Sequence, residues 1–287
     1  MKRFLWRGFF LLILCWVSTA LMAQPSTGGN DKQAQPAGKH VPQAKTHPEF
    51  NDYNAAYAIT GGAPSEKAAD DFAAKYPDSE LKSFLYSKAM HEYQNENNPE
   101  KMLSVGDKVL RLDPDNSIAL VLTATVLADG LSDSDSDRQV KIARVKKSAA
   151  HALDTLDSGF MPPANATPEQ VKQYKNTLES LAHSALGIVA LKTADDLGAE
   201  KELKLASDLN QSQPDPYIWY HLALAQDHQK KYPEALVSVN HALQIMGTNA
   251  DLGNLAKSEQ SRLLKLTGGA SSLPQKLPAQ PPSRVQL

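Results

Sequence analysis

Cysteine is nearly absent from this chain of 287 residues, with Cys15 the only one, which excludes a disulfide framework and a thiolate metal site together. Charge of one sign is lacking too. Thirty Lys and Arg stand against 32 Asp and Glu, and that balance argues against a nucleic-acid binder, which carries a clustered basic surplus. No period-two alternation bounded by turns is present, and no glycine-rich loop sits between a strand and a helix. Phosphate-binding Gly-x-x-x-x-Gly-Lys, nucleophilic Gly-x-Ser-x-Gly and metal-binding His-Glu-x-x-His are all missing.

What the chain does have begins with an address. Lys2, Arg3 and Arg7 precede the apolar run Phe9 to Val17, and small residues follow at Ser18, Thr19, Ala20 and Ala23. This is the order of a secretory signal peptide, with cleavage expected after Ala23. The run from Phe9 to Met22 reaches only about 21 Å as a helix, short of the roughly 30 Å hydrocarbon core, so a membrane span in the mature chain is not expected. Leu14 is too bulky for the small residue that precedes a lipidated cysteine. Removing residues 1–23 deletes three positive charges and the one thiol, so 27 basic against 32 acidic residues leave a mature charge of −5. An exported chain without cysteine fits a bacterial periplasm or secretion into the medium.

Residues 24–48 contain no aromatic residue, and 268–287 hold Pro274, Pro278, Pro281 and Pro282; both are expected to be disordered, a linker and a proline-rich tail. Between them, 49–267 shows apolar residues at three- and four-residue steps, which predicts an all-α body. Helix starts are marked by Asn98-Pro99, Asp215-Pro216 and the capping box Thr167-Pro168-Glu169-Gln170. Left-handed helix stops are expected at Gly61-Gly62, Gly159, Gly198 and Gly247.

The helices repeat. Trp219, Leu222-Ala223, Tyr232, Ala235, Val239 and Ala242-Leu243 give bulky, small, aromatic and alanine positions in fixed register, and Leu186-Gly187, Ala199, Leu203 and Ala206 reproduce the offsets. Tyr86, Tyr93, Val109, Leu110 and Asp113-Pro114-Asp115-Asn116 look like the end of another unit. These residues resemble the tetratricopeptide family, and Tyr76-Pro77-Asp78-Ser79 resembles the divergent repeats of bacterial envelope proteins. Residues 117–157 fit a further unit if an insertion at 130–138 is allowed; 168–192 is one helix of about seven turns, and 250–266 is a terminal capping helix. In this register Ala235 lies at the contact between two helices and Ser238 is expected to face away from it.

The resemblance implies an α-solenoid of about five helix–turn–helix hairpins, acting as a non-enzymatic scaffold that binds a protein or peptide partner on a concave face. The groove side of the first helices would then present Phe84, Ser87 and His91 in one unit, and Tyr217, Tyr220, Leu224 and Asp227 in another. Packing between units is an equal use for the two tyrosines. Two other classes remain open: a structural subunit of an outer-membrane or envelope assembly complex, and an enzyme on a helical toroid.

No catalytic residue, cofactor or metal ligand is motivated. His221 and His228, seven residues apart, have no third ligand at helical spacing. Asp133-Ser134-Asp135-Ser136-Asp137 opens like a calcium loop, but Arg138 stands where the turn needs Gly and Arg144 where a bidentate Glu belongs, so a solvated insertion is expected. The export reading predicts a mature chain that starts near Gln24 in periplasm or medium; N-terminal sequencing that finds intact Met1 in a cytoplasmic fraction refutes it.

Overall fold

A computed structural model describes residues 41–162 and 166–268; the expected signal peptide, most of the linker and nearly all of the proline-rich tail lie outside these residues. The described residues form eleven helices and no strand. They are α1 (His47–Tyr57), α2 (Gly62–Lys75), α3 (Lys82–Asn95), α4 (Pro99–Leu112), α5 (Ser117–Gly130), α6 (Arg138–Gly159), α7 (Pro168–Lys192), α8 (Asp196–Leu209), α9 (Pro216–His228), α10 (Tyr232–Ile245) and α11 (Ala250–Leu266). Each packs on its neighbour in sequence, and α5, α7, α9 and α11 also meet in succession as first helices. The architecture is an α-solenoid of helical hairpins, with α11 covering the last pair. Ordered packing starts before residue 49: Ala44 is buried, and the Thr46 side chain accepts from the Glu49 amide at the start of α1.

The punctuation has the chemistry the sequence implies. Asn98 and Asp215 accept from amides in the first turns of α4 and α9, and Thr167 and Gln170 exchange the two bonds of the capping box, at 3.2 and 2.8 Å. Of the glycines expected as left-handed stops, Gly61 and Gly247 have positive φ. Gly62, Gly159 and Gly198 do not; they are close-approach positions, where a Cβ would meet the Tyr93 ring, the Asp115 carbonyl oxygen and the Asp195 carboxylate.

Inside three hairpins the left-handed position is taken by non-glycine residues, Asn97 (φ 54°), Ala194 (φ 58°) and Lys230 (φ 62°). The next amide in each case donates back five residues, Asn98 to Tyr93, Asp195 to Ala190 and Lys231 to Gln226, all at 2.9 Å. These bonds satisfy carbonyls that a helix end leaves open, and they fix one turn geometry for all three hairpins.

That common turn sets the register of the helix crossing. Seven residues before it stand Met90, Gly187 and Ala223, and nine residues after it stand Gly106, Leu203 and Val239. In two hairpins the small residue is on the first helix, and a Cβ on Gly187 would come within 2.6 Å of Leu203 Cγ. In α3–α4 the sizes exchange sides: a Cβ on Gly106 would lie 3.1 Å from Met90 Cε. One bulky and one small side chain fill each crossing, whichever helix carries which.

α5 differs from its neighbours because it has no polar face. Ser117 and every residue from Ala119 to Ala128 are buried. Ala119, Leu122 and Val126 join the core of α2, α3 and α4, while Leu120, Val121, Ala124, Leu127 and Ala128 join the core of α6 and α7. A helix apolar on all sides needs neighbours all round it.

Ser238 corrects the expectation from sequence. It is buried, and its hydroxyl donates to Gln226 Oε1 at 2.7 Å, because a residue three positions after Ala235 shares the helix face rather than leaving it. The outward neighbour is Val237, 37% exposed. Ala235→Leu and Gly187→Ala are therefore each expected to cost about 1–3 kcal/mol by overpacking, against about 0.5 kcal/mol or less for Val237→Leu. Urea midpoints of the three variants check this; equal midpoints overturn the register.

Candidate functional site

The two groups of expected groove residues occupy different parts of the solenoid. On α3, Phe84 packs at the edge of the N-terminal core, the Ser87 hydroxyl is enclosed without a partner, and His91 Nδ1 lies 3.3 Å from Gln94 Oε1. On α9, Tyr217, Tyr220, Leu224 and Asp227 are all partly exposed. The buried helix α5 stands between the α3 and α7–α9 parts, so it contributes no run of groove-facing side chains.

α11 braces the α9 set. Asn249, its N-cap residue, donates to the Tyr217 phenol at 2.9 Å. Tyr220 packs against the core shared by α9, α10 and α11. Asp227 pairs with Arg262, which also pairs with Glu259 at 2.8 Å, while the other Asp227 oxygen is enclosed without a partner. Leu224 is the member of the four for which no bond or ring contact ties it down.

From the other side α9 is held by Glu200 of α8, a buried carboxylate. It accepts from Lys231 at 2.6 Å, Gln229 at 3.0 Å and Gln226 at 3.5 Å, and pairs with Lys204 at 2.9 Å. Burial alone would raise its pKa, but the bonds from Lys231, Lys204 and Gln229 outweigh that and hold it at about 2.

Burial also governs the remaining ionisable groups near α9. Asp215, the N-cap residue, is pushed up to about 6 by desolvation, although the Tyr217 amide donates to it at 2.8 Å. Desolvation and the charge of Lys192 bring His221 down to about 4, so it is neutral at pH 7. Both tyrosine phenols are raised by burial, Tyr217 further by Asp215, Asp129 and Asp251, and Tyr220 by Glu259.

His221 and His228 do not act together. His228 Nδ1 lies 2.9 Å from Asp196, whereas His221 Nδ1 is enclosed without a partner. His151 and His183 meet Asp115 and Glu202 at 2.8 and 2.7 Å. Among the described residues no group of three or more His, Cys, Asp or Glu gathers to hold a metal, and no helix is long and apolar enough to cross a membrane. The carboxylates of the acidic insertion turn to two cations of α6: Asp133 to Arg138 at 3.3 Å, and Asp135 and Asp137 both to Lys141 at 3.1 and 2.9 Å.

Sequence reasoning did not find Glu200, Asn249 or Arg262. Asn249 caps α11 through its side-chain oxygen, and its second bond, to Tyr217 32 residues earlier, has no local trace. Comparison with protein-family models found no match, and comparison with curated proteins found none.

Glu200 has a pH signature. Its folded pKa lies below the unfolded value near 4.5, so its contribution to stability is present above pH 4.5 and is lost as pH falls through about 2. That contribution is about 3 kcal/mol at most. Glu200→Gln is expected to lower the urea midpoint at pH 7 and to narrow the gap between pH 7 and pH 3; a gap as wide as that of the unmodified chain refutes the assignment.

Proposed function

We propose that this chain is a non-enzymatic scaffold of the bacterial cell envelope, similar to the tetratricopeptide repeats, exported by its N-terminal segment and binding a protein or peptide partner. The observation that carries this reading is the α9 face, where Tyr220 and Leu224 remain partly exposed on a helix held by Glu200 on one side and α11 on the other. A rigid helix presenting aromatic and aliphatic side chains supplies contact area at small entropic cost. Because α5 is interior, the binding surface divides into an α3 part and an α9–α11 part rather than running unbroken along the solenoid.

A second reading, a structural subunit of an envelope complex, would place its contacts elsewhere on the surface, where Val140 on α6 and Leu197 on α8 are aliphatic side chains 69% and 71% exposed. Site-specific photo-crosslinkers in the full chain separate the two. With the probe at Leu224 in living cells, a discrete partner adduct is expected, and Tyr220→Ala should reduce its yield about tenfold without loss of the folded state. Adducts that form from Val140 and Leu197 while Leu224 forms none transfer the function to the second reading.

A further inference from the structure

The end of α5 raises a local difficulty. The last carbonyls of any helix have no partner within it, and here they lie beside Ala128 and Leu131, both buried, where water is a poor substitute. Lys192, the last residue of α7, solves it from 61 to 64 positions away. Its Nζ donates to the carbonyl oxygens of Ala128, Asp129 and Leu131 at 2.8, 2.9 and 3.0 Å, which uses all three N–H bonds of an ammonium. The negative end of the α5 dipole favours a cation there. Burial pushes the Lys192 pKa down, and the charges of Asp129, Asp135 and Asp133 work against that shift, with Arg138 opposing them.

The contact is reciprocated. Arg138, the first residue of α6, donates to the Lys192 carbonyl oxygen at 2.5 Å and pairs with Asp133. Asp135 folds back to accept from the Ser132 amide at 3.0 Å. The acidic stretch is thereby wrapped around the joint of α5, α6 and α7, close to the Lys192 ammonium.

We propose that the C-terminus of α5 and the acidic insertion 131–137 form a binding site for an ammonium cation, which the chain fills with its own Lys192. Three backbone carbonyls in one cradle recognise a compact donor with three N–H bonds, and nearby carboxylates retain its charge. Occupancy of this site holds the insertion in place and locks the N-terminal half of the solenoid to the C-terminal half. The Asp-x-Asp-x-Asp pattern then serves a tethered organic cation rather than a metal.

Limited trypsin digestion of the full chain, read by mass spectrometry at Arg138 and Lys141, tests the site. Lys192→Ala and Lys192→Met are expected to be cut there about tenfold faster than the unmodified chain, because losing the cation frees the insertion. Ethylammonium chloride should slow cutting of Lys192→Ala relative to sodium chloride of equal ionic strength. It should leave Lys192→Met unchanged, since the methionine side chain fills the vacated space. Wild-type resistance in Lys192→Met overturns the proposal, because the methylenes alone would then hold the joint. So does cutting of Lys192→Ala that ethylammonium leaves unaltered. If both neutral variants fail to fold, refolding of Lys192→Ala from urea decides: recovery of the helical circular-dichroism signal in ethylammonium chloride upholds the site, and no recovery beyond that in sodium chloride of equal ionic strength overturns it.

Discussion

A helix without a charged residue from Ser117 to Ala128 is stable only where its whole circumference is covered, and that requirement organises this molecule. α4 covers one side of α5 within the core it shares with α2 and α3, and α6 and α7 cover the other. The long α6 and α7 supply apolar surface along this centre, from Ile142 to Phe160 and from Leu178 to Val189. The end of α5 is closed by a lysine from α7, since an enclosed carbonyl without a donor would cost about 1–3 kcal/mol. A solenoid with such a centre has two flanking surfaces in place of one continuous groove.

The hairpins on either side tolerate variation because the crossing constrains combined volume, not the identity of either residue. Gly187 faces Leu203, while Met90 faces Gly106, and the common left-handed turn brings both pairs to the same place. Holding one volume while exchanging its halves is the kind of change a packed contact accepts. A fixed turn with compensating sizes also keeps the hairpin geometry the same where the residues at the crossing differ.

At the C-terminal end the same logic produces a surface. Polar groups that would be costly if left single are joined across helices: Glu200 to Gln226, Gln229 and Lys231, Asp227 to Arg262, and Asn249 to Tyr217. These bonds fix α9 between α8 and α11. They leave Leu224 and part of Tyr220 facing outward, the pair that the functional proposal rests on.

Local chemistry made the helix boundaries and the repeat register legible in the sequence. Caps such as Asn98, Thr167 and Asp215 act within four residues, and alanines at helical spacing record a face whichever neighbour it meets. The same periodicity misplaced Ser238, because a small polar residue on an inner face looks like an outer one until its partner, Gln226, is seen. Folding alone decided that α5 is interior, that α11 reaches Tyr217 and Asp227, and that Lys192 ends α5. Each of those depends on groups tens of residues apart whose pairing leaves no spacing to read, since the free energy of a buried hydrogen bond or ion pair depends on distance in space and not on distance along the chain.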